Sequence, residues 1–372
     1  MSATATATAP THRFAAPDGG QRDQFGDSVA LSGPTAVVGA PWHAGFAGGV
    51  YVYARSGGTW ALQSELANPA GSAQDAFGGS VAVSGNTLVV GAVQHAGNTG
   101  VAYVFVRSAG HWVLQATLGA PEAGDLQFGY AVAVSGDTAF VSMPFTNRPA
   151  NAGVYVFHRS QGSWALVTKL VSPSGAWMFG QSLAVSGSTV VVGAPSADPQ
   201  QAGAAYVYTD GVGGWTLAAA LSGADTSIGD EFGASVSVSG DVVVVGSPFH
   251  GDTGRAYVFA GSGSTWTQTA ELVGSDSVSG DTFGASVGVS ASMIVVGAPR
   301  APRTWDKDRG VGYVFTLSGG TWVQTVRIVP KVRPVGAYFG YSVSVSGARV
   351  LLGAPGVNQD TGLAYLFRPL GY

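Results

Sequence analysis

The dipeptide Phe-Gly recurs along this chain at a nearly constant spacing, and this spacing restricts the possible folds more than any other feature. Its copies begin at Phe25, Phe77, Phe128, Phe179, Phe232, Phe283 and Phe339, at intervals of 52, 51, 51, 53, 51 and 56 residues. Each copy continues through a run of Ser and Val, a Gly-containing turn, a β-branched run and an ending similar to Gly-Ala-Pro, as in Phe232–Pro248. Seven copies at one period indicate a repeat protein.

One period contains four short apolar segments and no helical pattern. In the unit that starts at Phe77, strands are predicted at Ser80–Val83, Thr87–Ala92, Val101–Val106 and Trp112–Leu118. Gly85-Asn86 suits a tight hairpin turn between the first two strands, because Gly accepts the positive φ that such turns need. Four strands in each of seven periods predict an all-β fold, a seven-bladed β-propeller with four-stranded antiparallel blades.

The two ends of the chain complement each other. The seventh unit stops after its third strand, Leu363–Phe367, and has no fourth strand of its own. The sequence around Phe14 precedes Phe25 much as Leu118, at the end of a fourth strand, precedes Phe128. We therefore predict that residues 4–14 complete blade seven and close the ring, and that residues 1–372 form one domain.

Charge and composition disfavour several classes of function. Charged residues are only 10% of the chain and the formal net charge is −4, whereas a nucleic-acid-binding surface needs clustered cations. No apolar run approaches the ~20 residues of a membrane-spanning helix. Residues 1–10 lack the basic start and apolar centre of a signal peptide, so a soluble, cytoplasmic protein is the default expectation, with secretion open if a signal peptide has been removed. We expect a monomer.

The Phe-Gly start and Gly-Ala-Pro end of each unit resemble the FG-GAP repeats of integrin α-subunit propellers, and more closely those of bacterial FG-GAP proteins that lack calcium loops. The resemblance covers the whole chain and implies the propeller fold. The integrin-like calcium loop, Asp-x-Asp-x-Asp-Gly, would lie between the first two strands, but these connections are short turns such as Gly33-Pro34, Gly136-Asp137 and Gly240-Asp241. Each turn offers at most one carboxylate, whereas calcium takes about 6–8 oxygen ligands. We therefore expect no metal and no cofactor.

Aromatic residues that break the repeat are candidates for a binding site, because a residue type that recurs in every blade belongs to the fold. Most of them are concentrated in two connections, between strands two and three and beside the Phe-Gly pair. They are Trp42, Phe46, Tyr130, Phe145, Trp177, Phe249, Trp305, Tyr338 and Tyr341. In antiparallel blades both connections reach the same face of the ring. We predict one ligand site at this mouth of the channel; the alternative is that these rings pack on neighbouring loops.

Three histidines, His43, His95 and His250, occupy the same loop position in blades one, two and five. They could form a metal site, bond locally within their loops, or contact a ligand and transfer protons. Equivalent positions on a ring are evenly rotated, which disfavours convergence on one metal. Aspartates also recur two residues before Phe-Gly, and we assign them to turn bonding.

Arginines in the same loops are further candidate ligand contacts. They are Arg148, Arg300 and Arg303. A guanidinium group binds a carboxylate or phosphate well, and the alternative is a solvated loop with local ion pairs.

Two classes of function remain open. The first is a propeller that binds a small molecule or carbohydrate, or a partner protein, at one asymmetric aromatic site. The second is an enzyme without an organic cofactor, of lyase, isomerase or cyclase type, whose acid–base candidates are His43, His95, His250, Tyr338 and Tyr341. The loops after Gly-Ala-Pro diverge in sequence, which favours a single site over one site per blade.

Overall fold

The computed structural model describes residues 5–7, 9–121, 126–146, 152–197, 202–301, 308–332 and 334–369, and it is a ring of seven β-sheets. Blade one contains β3 (Ser28–Ser32), β4 (Thr35–Ala40), β5 (Gly49–Ser56) and β6 (Thr59–Ala67). Blade two contains β7 (Phe77–Ser84), β8 (Thr87–Ala92), β9 (Val101–Ser108) and β10 (His111–Leu118). Blade three contains β11 (Val132–Ser135), β12 (Thr138–Met143), β13 (Gly153–Ser160) and β14 (Ser163–Leu170).

The next three blades repeat the same antiparallel order, which confirms the predicted fold class. Blade four contains β15 (Ser182–Ser186), β16 (Thr189–Ala194), β17 (Ala204–Gly211) and β18 (Gly214–Leu221). Blade five contains β19 (Ser235–Ser239), β20 (Val242–Ser247), β21 (Arg255–Ser262) and β22 (Thr265–Leu272). Blade six contains β23 (Ser286–Ser290), β24 (Met293–Ala298), β25 (Val311–Ser318) and β26 (Thr321–Ile328).

The N-terminal segment closes the ring. Blade seven contains β27 (Val343–Ser346), β28 (Arg349–Ala354) and β29 (Leu363–Phe367), and β2 (His12–Phe14) pairs antiparallel with β29 as its outer strand. This confirms the predicted closure. In contrast, β1 (Ala5–Ala7) pairs in parallel with β26 and adds a fifth strand to blade six. The expectation that residues from 4 onward all belong to blade seven is therefore corrected to His12–Phe14, because Ala5–Ala7 cover the open edge of the neighbouring sheet.

Short turns in the loops between strands two and three carry the residues of interest. Short helical turns lie at His43–Phe46, His95–Asn98 and Val357–Asp360, and a 3₁₀ turn lies at His250–Asp252. Each contains a residue with positive φ, such as Ala44 at 52°, so they are irregular turns rather than helices.

The recurring Phe-Gly and Gly-Ala-Pro residues form the junctions between blades. All seven Phe side chains of the repeat are 0% exposed, and Phe77 packs with residues of both blade one and blade two. Ser28 Oγ donates a hydrogen bond of 2.7 Å to the carbonyl oxygen of Gly78 in the next blade. A Cβ on Gly39 would lie 2.1 Å from the same oxygen, so the close approach of the two backbones requires Gly there.

The first strands of all seven blades line a central channel of about 250 Å³. Their lining residues are small or aliphatic, as with Val29, Val132 and Val343. The polar and aromatic residues that could recognise a ligand therefore lie beyond these strands, in the connections at the Phe-Gly end.

Candidate functional site

The residue that follows each Phe-Gly pair lies immediately before a channel-lining strand, at one end of the channel. In chain order these residues are Asp27, Gly79, Tyr130, Gln181, Ala234, Ala285 and Tyr341. We call this ring of seven positions the channel mouth. Four positions carry a polar group and three carry Gly or Ala, so the channel mouth is polar on some blades and open on others.

Three groups at the channel mouth, from blades one, three and seven, influence one another electrostatically. The negative charge of Asp27 is the largest cause that raises the pKa of Tyr341 to about 12, followed by burial and by Tyr130. Burial raises the pKa of Tyr130, and the charge of Asp27 adds to this rise. Asp27, Tyr130 and Tyr341 occupy equivalent positions at the channel mouth, and the charge of Asp27 reaches both tyrosines; the Tyr341 side chain is 49% exposed.

The Asp27 carboxyl is poorly hydrated. Burial raises its pKa to about 7, because a carboxylate surrounded by protein loses hydration that stabilises its charge. Its side chain is half-buried and lies just before a strand that lines the channel. No described residue donates a hydrogen bond to this carboxyl group. The buried Oε1 atom of Gln181 likewise has no hydrogen-bond donor among the described residues.

Tyr130 links the channel mouth to a second, apolar pocket between blades three and four. Its ring makes an edge contact with Phe145, with centroids 5.1 Å apart. Phe145 and Trp177 then line a pocket of about 160 Å³ together with Met178. The structure thus brings together three of the predicted aromatic residues, Tyr130, Phe145 and Trp177.

Other predicted aromatic residues remain in their own loops. Trp42 and Phe46 pack on each other with centroids 4.9 Å apart and are 40% and 41% exposed. Phe249 occupies the equivalent position of blade five and is 45% exposed. Among the described residues no ring contact joins any of the three to Tyr130 or Tyr341. Their part in a ligand site stays a prediction.

Each of the three loop histidines is held by the aspartate that lies two residues before Phe-Gly. The Nδ1 atoms of His43, His95 and His250 lie 2.8, 2.8 and 2.7 Å from a carboxylate oxygen of their partners. Those partners are Asp23, Asp75 and Asp230, and all three are buried. The three histidines therefore bond within their own blades, and no described contact brings them together at one metal.

Blades one and five add two more carboxylates to this arrangement. In blade one, His43 Nε2 lies 3.2 Å from Asp18 Oδ2, and Glu65 completes the group. In blade five, His250 Nε2 lies 3.3 Å from Asp225 Oδ2, and Glu271 occupies the position of Glu65. Burial, a hydrogen bond with Asp18 and the negative charge of Asp18 raise the pKa of Glu65. The sequence reasoning missed these acids, although their spacing from the histidine is nearly the same in both blades.

The predicted basic residues are only partly described. Arg300 is exposed, and its positive charge lowers the pKa of Tyr338, which is raised on balance by burial first and then by Asp308. Tyr338 Oη lies 3.5 Å from Asp308 Oδ2. The other predicted residues of these loops, Arg148, Arg303 and Trp305, lie outside the described residues.

The repeat pattern matches a known family over most of its length. A family described as FG-GAP repeat matches residues 10–53, 60–105, 164–208, 215–259, 266–315 and 322–367. The chain belongs to the FG-GAP repeat family. This confirms the resemblance expected from the sequence. The Phe-Gly and Gly-Ala-Pro residues of these FG-GAP repeats are the ones that form the blade junctions described above.

The other comparisons support only the fold. No curated protein sequence matches the chain. A chain in the crystal structure of the mitotic checkpoint complex is similar, with 11% sequence identity and a TM-score of 0.64 over 98% of this FG-GAP propeller and 93% of that chain. Such low identity supports the shared architecture and carries no ligand or partner across. In the described part of the chain, no helix is long and apolar enough to cross a membrane.

Proposed function

We propose that this FG-GAP propeller binds one small molecule rich in hydroxyl groups, of the carbohydrate class, at the channel mouth. The observation that carries the proposal is that Asp27, Tyr130 and Tyr341 occupy equivalent positions at the channel mouth, where the charge of Asp27 raises the pKa of both tyrosines. The three residues come from different blades at equivalent positions, so their combination occurs once in the ring. One asymmetric site per chain follows from that arrangement.

The chemistry of these groups suits a polyhydroxyl ligand. The Asp27 carboxyl accepts hydrogen bonds when ionised, and the two Tyr hydroxyls both donate and accept. The unpartnered Gln181 Oε1 is another acceptor, and a ligand hydroxyl bonded to it would remove the cost of a buried, unsatisfied oxygen. The Gly and Ala positions on the other blades leave room beside these groups, and Phe145 supplies an apolar surface next to Tyr130.

A second candidate function is acid–base catalysis on such a molecule. Asp27 favours it, because a carboxyl group with a pKa of about 7 accepts and returns protons readily near neutral pH. In this version Asp27 takes the role that we had assigned to a histidine or tyrosine. The loop histidines are less suited to the role, because a buried aspartate fixes each ring within its own blade.

The test is a calorimetric binding screen of mono- and disaccharides and cyclic polyols, followed by titration of any binder into matched variants. We expect one ligand per chain. Asp27→Asn should weaken binding by about 10- to 100-fold and Tyr341→Phe by about 3- to 10-fold, since the lost bonds are charged and neutral, respectively.

Tyr53→Phe is the control, because it removes a hydroxyl that bonds to Ala15 at 2.7 Å, away from the channel mouth. Its affinity should equal that of the unaltered protein. A screen without binders, seven ligands per chain, or full affinity in both Asp27→Asn and Tyr341→Phe would contradict the proposal. A pH–rate profile on a bound compound, lost in Asp27→Asn, would separate catalysis from binding.

A further inference from the structure

The groups around His43 and His250 repeat the same five-part arrangement in two blades that are not neighbours. In blade one, Tyr51 Oη donates a 2.7 Å hydrogen bond to Asp18 Oδ1, and Tyr257 makes the same bond of 2.8 Å to Asp225 in blade five. The buried aspartates Asp23 and Asp230 accept from the Nδ1 side of the histidines. Glu65 and Glu271 lie directly across the strand pair from the two tyrosines.

These bonds leave one nitrogen and two carboxylates facing one another. An ionised carboxylate only accepts hydrogen bonds, so the hydrogen on His43 belongs on Nδ1 toward Asp23, and the Nε2 lone pair is directed away from it. Nε2 then faces Asp18 and Glu65, and the ligand atoms of the three residues lie within 4.8 Å of one another. Three acceptors at such distances repel each other unless a proton or a metal ion lies between them. Asp225, His250 and Glu271 meet the same distance limit.

We propose that Asp18, His43 and Glu65 form one binding site for a divalent transition-metal ion, and that Asp225, His250 and Glu271 form a second one. The two sites differ in one neighbour, because in blade five Arg255 Nε lies 2.7 Å from Glu271 Oε1, whereas Gly49 begins the equivalent strand of blade one. The Nε2–Oδ2 separations of 3.2 and 3.3 Å are close to the edge of a tetrahedron, about 3.3 Å, that follows from metal–ligand distances of ~2.0–2.1 Å. Three protein ligands leave a fourth position for water. The nitrogen ligand favours Zn²⁺ or a similar ion over Ca²⁺, which takes oxygen ligands.

The surrounding bonds have the form that metal sites use to orient their ligands. A metal-binding histidine usually donates its other N–H group to a carboxylate, and ligating carboxylates are themselves hydrogen-bonded. Asp23 and Asp230 serve the histidines in this way, and Tyr51 and Tyr257 serve the outer aspartates. Each site would tie the connection before Phe-Gly, the loop after strand two and the outer strand to one ion.

Two other blades contain only some of the five residues of this arrangement. Blade two keeps the His95–Asp75 pair but has Ala70 and Thr117 at the positions of Asp18 and Glu65. Blade six keeps the outer aspartate, Asp276, which accepts a hydrogen bond from Tyr313. The residue opposite Tyr313 on the neighbouring strand is Arg327.

Arg327 Nε lies 2.7 Å from Asp276 Oδ2, so in blade six the side chain at the Glu65 position supplies a positive charge to the outer aspartate. Blades one and five have a glutamate at this position, and there the metal ion would supply that charge.

The experiment is calorimetric titration of tag-free, chelator-treated protein with Zn²⁺, checked by elemental analysis after desalting. The full chain should bind two Zn²⁺ ions, His43→Gln and His250→Gln one each, and the double variant none. Glu65→Gln, which alters an exposed residue and leaves His43 in place, should also lose one. Ca²⁺ at the same concentrations should give no binding heat at these sites.

His95→Gln is the matched control and should keep both ions, since blade two lacks two of the ligands. Adding them by Ala70→Asp and Thr117→Glu should create a third site. The proposal is overturned if the unaltered chain binds no Zn²⁺, if the double variant keeps both ions, or if His95→Gln loses one. A missing third ion in the Ala70→Asp/Thr117→Glu variant would contradict the claim that these groups suffice. Failure of these tests leaves the channel-mouth proposal untouched, because the two sites share no residue.

Discussion

Asp27 shows how the position of one residue in the ring changes its chemistry. Among the seven equivalent positions of the channel mouth, only blade one carries a carboxyl group. Burial of this carboxyl group raises its pKa to about 7. At neutral pH Asp27 is therefore partly protonated, and a ligand or a neighbouring charge would shift that balance.

The pH dependence of stability should report this shift. A carboxyl whose pKa is higher in the folded than in the unfolded chain binds more protons when folded, so its contribution to stability falls as pH rises. The fall begins at the unfolded pKa of about 4 and is complete above the folded value of about 7. Asp27→Asn lacks this pH-dependent contribution. The melting temperature of Asp27→Asn minus that of the unaltered protein should therefore be more positive at pH 8 than at pH 5. Equal differences at both pH values would contradict a raised pKa.

The sequence predicted part of this site and missed the rest for a physical reason. Tyr130 and Tyr341 were found because aromatic residues that break the repeat can be recognised in one blade. Asp27 and Gln181 were missed, since an acid or amide after a Gly resembles an ordinary loop residue. Their burial depends on how the blades come together around the ring, and no single repeat contains that information.

At the scale of elements, the junction between blades explains why the repeat keeps its two Gly positions. The second strand of each blade approaches the Phe-Gly backbone of the next, and Gly246 makes this approach to Gly284. Blade three is the exception, because Ser142 stands at this Gly position and Ala131 stands at the position of Ser28. The Ser142 Oγ accepts a hydrogen bond from the Ala131 N–H at 2.9 Å. The sequence predicted the strands and the buried Phe wedges, while this pattern of contacts needed the structure.

Gly246→Ala should therefore destabilise the protein. The new Cβ would lie 2.0 Å from the Gly284 carbonyl oxygen, which belongs to backbone and cannot move without shifting the blade. We expect a loss of about 1–3 kcal/mol in the free energy of unfolding, as in other overpacked sites. Gly211→Ala is the control, because nothing lies within 4 Å of its added Cβ. Chemical denaturation measures both, and equal midpoints for the two variants would show that the blade junction tolerates a side chain.

At the scale of the whole molecule, the ring depends on one short N-terminal strand. Strand β2 supplies the fourth strand of blade seven, and its Phe14 is 1% exposed and packs against Tyr53 and Trp60 of blade one. Strand β1 pairs with the outer edge of blade six; its first two residues are exposed, and Ala7 is partly buried against the core. Sequence complementarity between the chain ends predicted the first of these roles. It gave no sign of the second, because three alternating Ala and Thr residues fit almost any open sheet edge.

Two deletions should separate these roles. Removing residues 1–9 takes away β1 and leaves β2, so we expect the melting temperature to change little, since a surface change usually costs less than ~0.5 kcal/mol per site. Removing residues 1–14 also removes β2 and the buried Phe14. That deletion exposes the edge of β29 and opens a cavity beside Tyr53, and loss of a buried Phe alone costs ~3–5 kcal/mol. The longer deletion should melt far lower and aggregate on heating, as followed by circular dichroism and light scattering. If both truncated proteins melt alike, the ring is closed by contacts other than the pairing of β2 with β29.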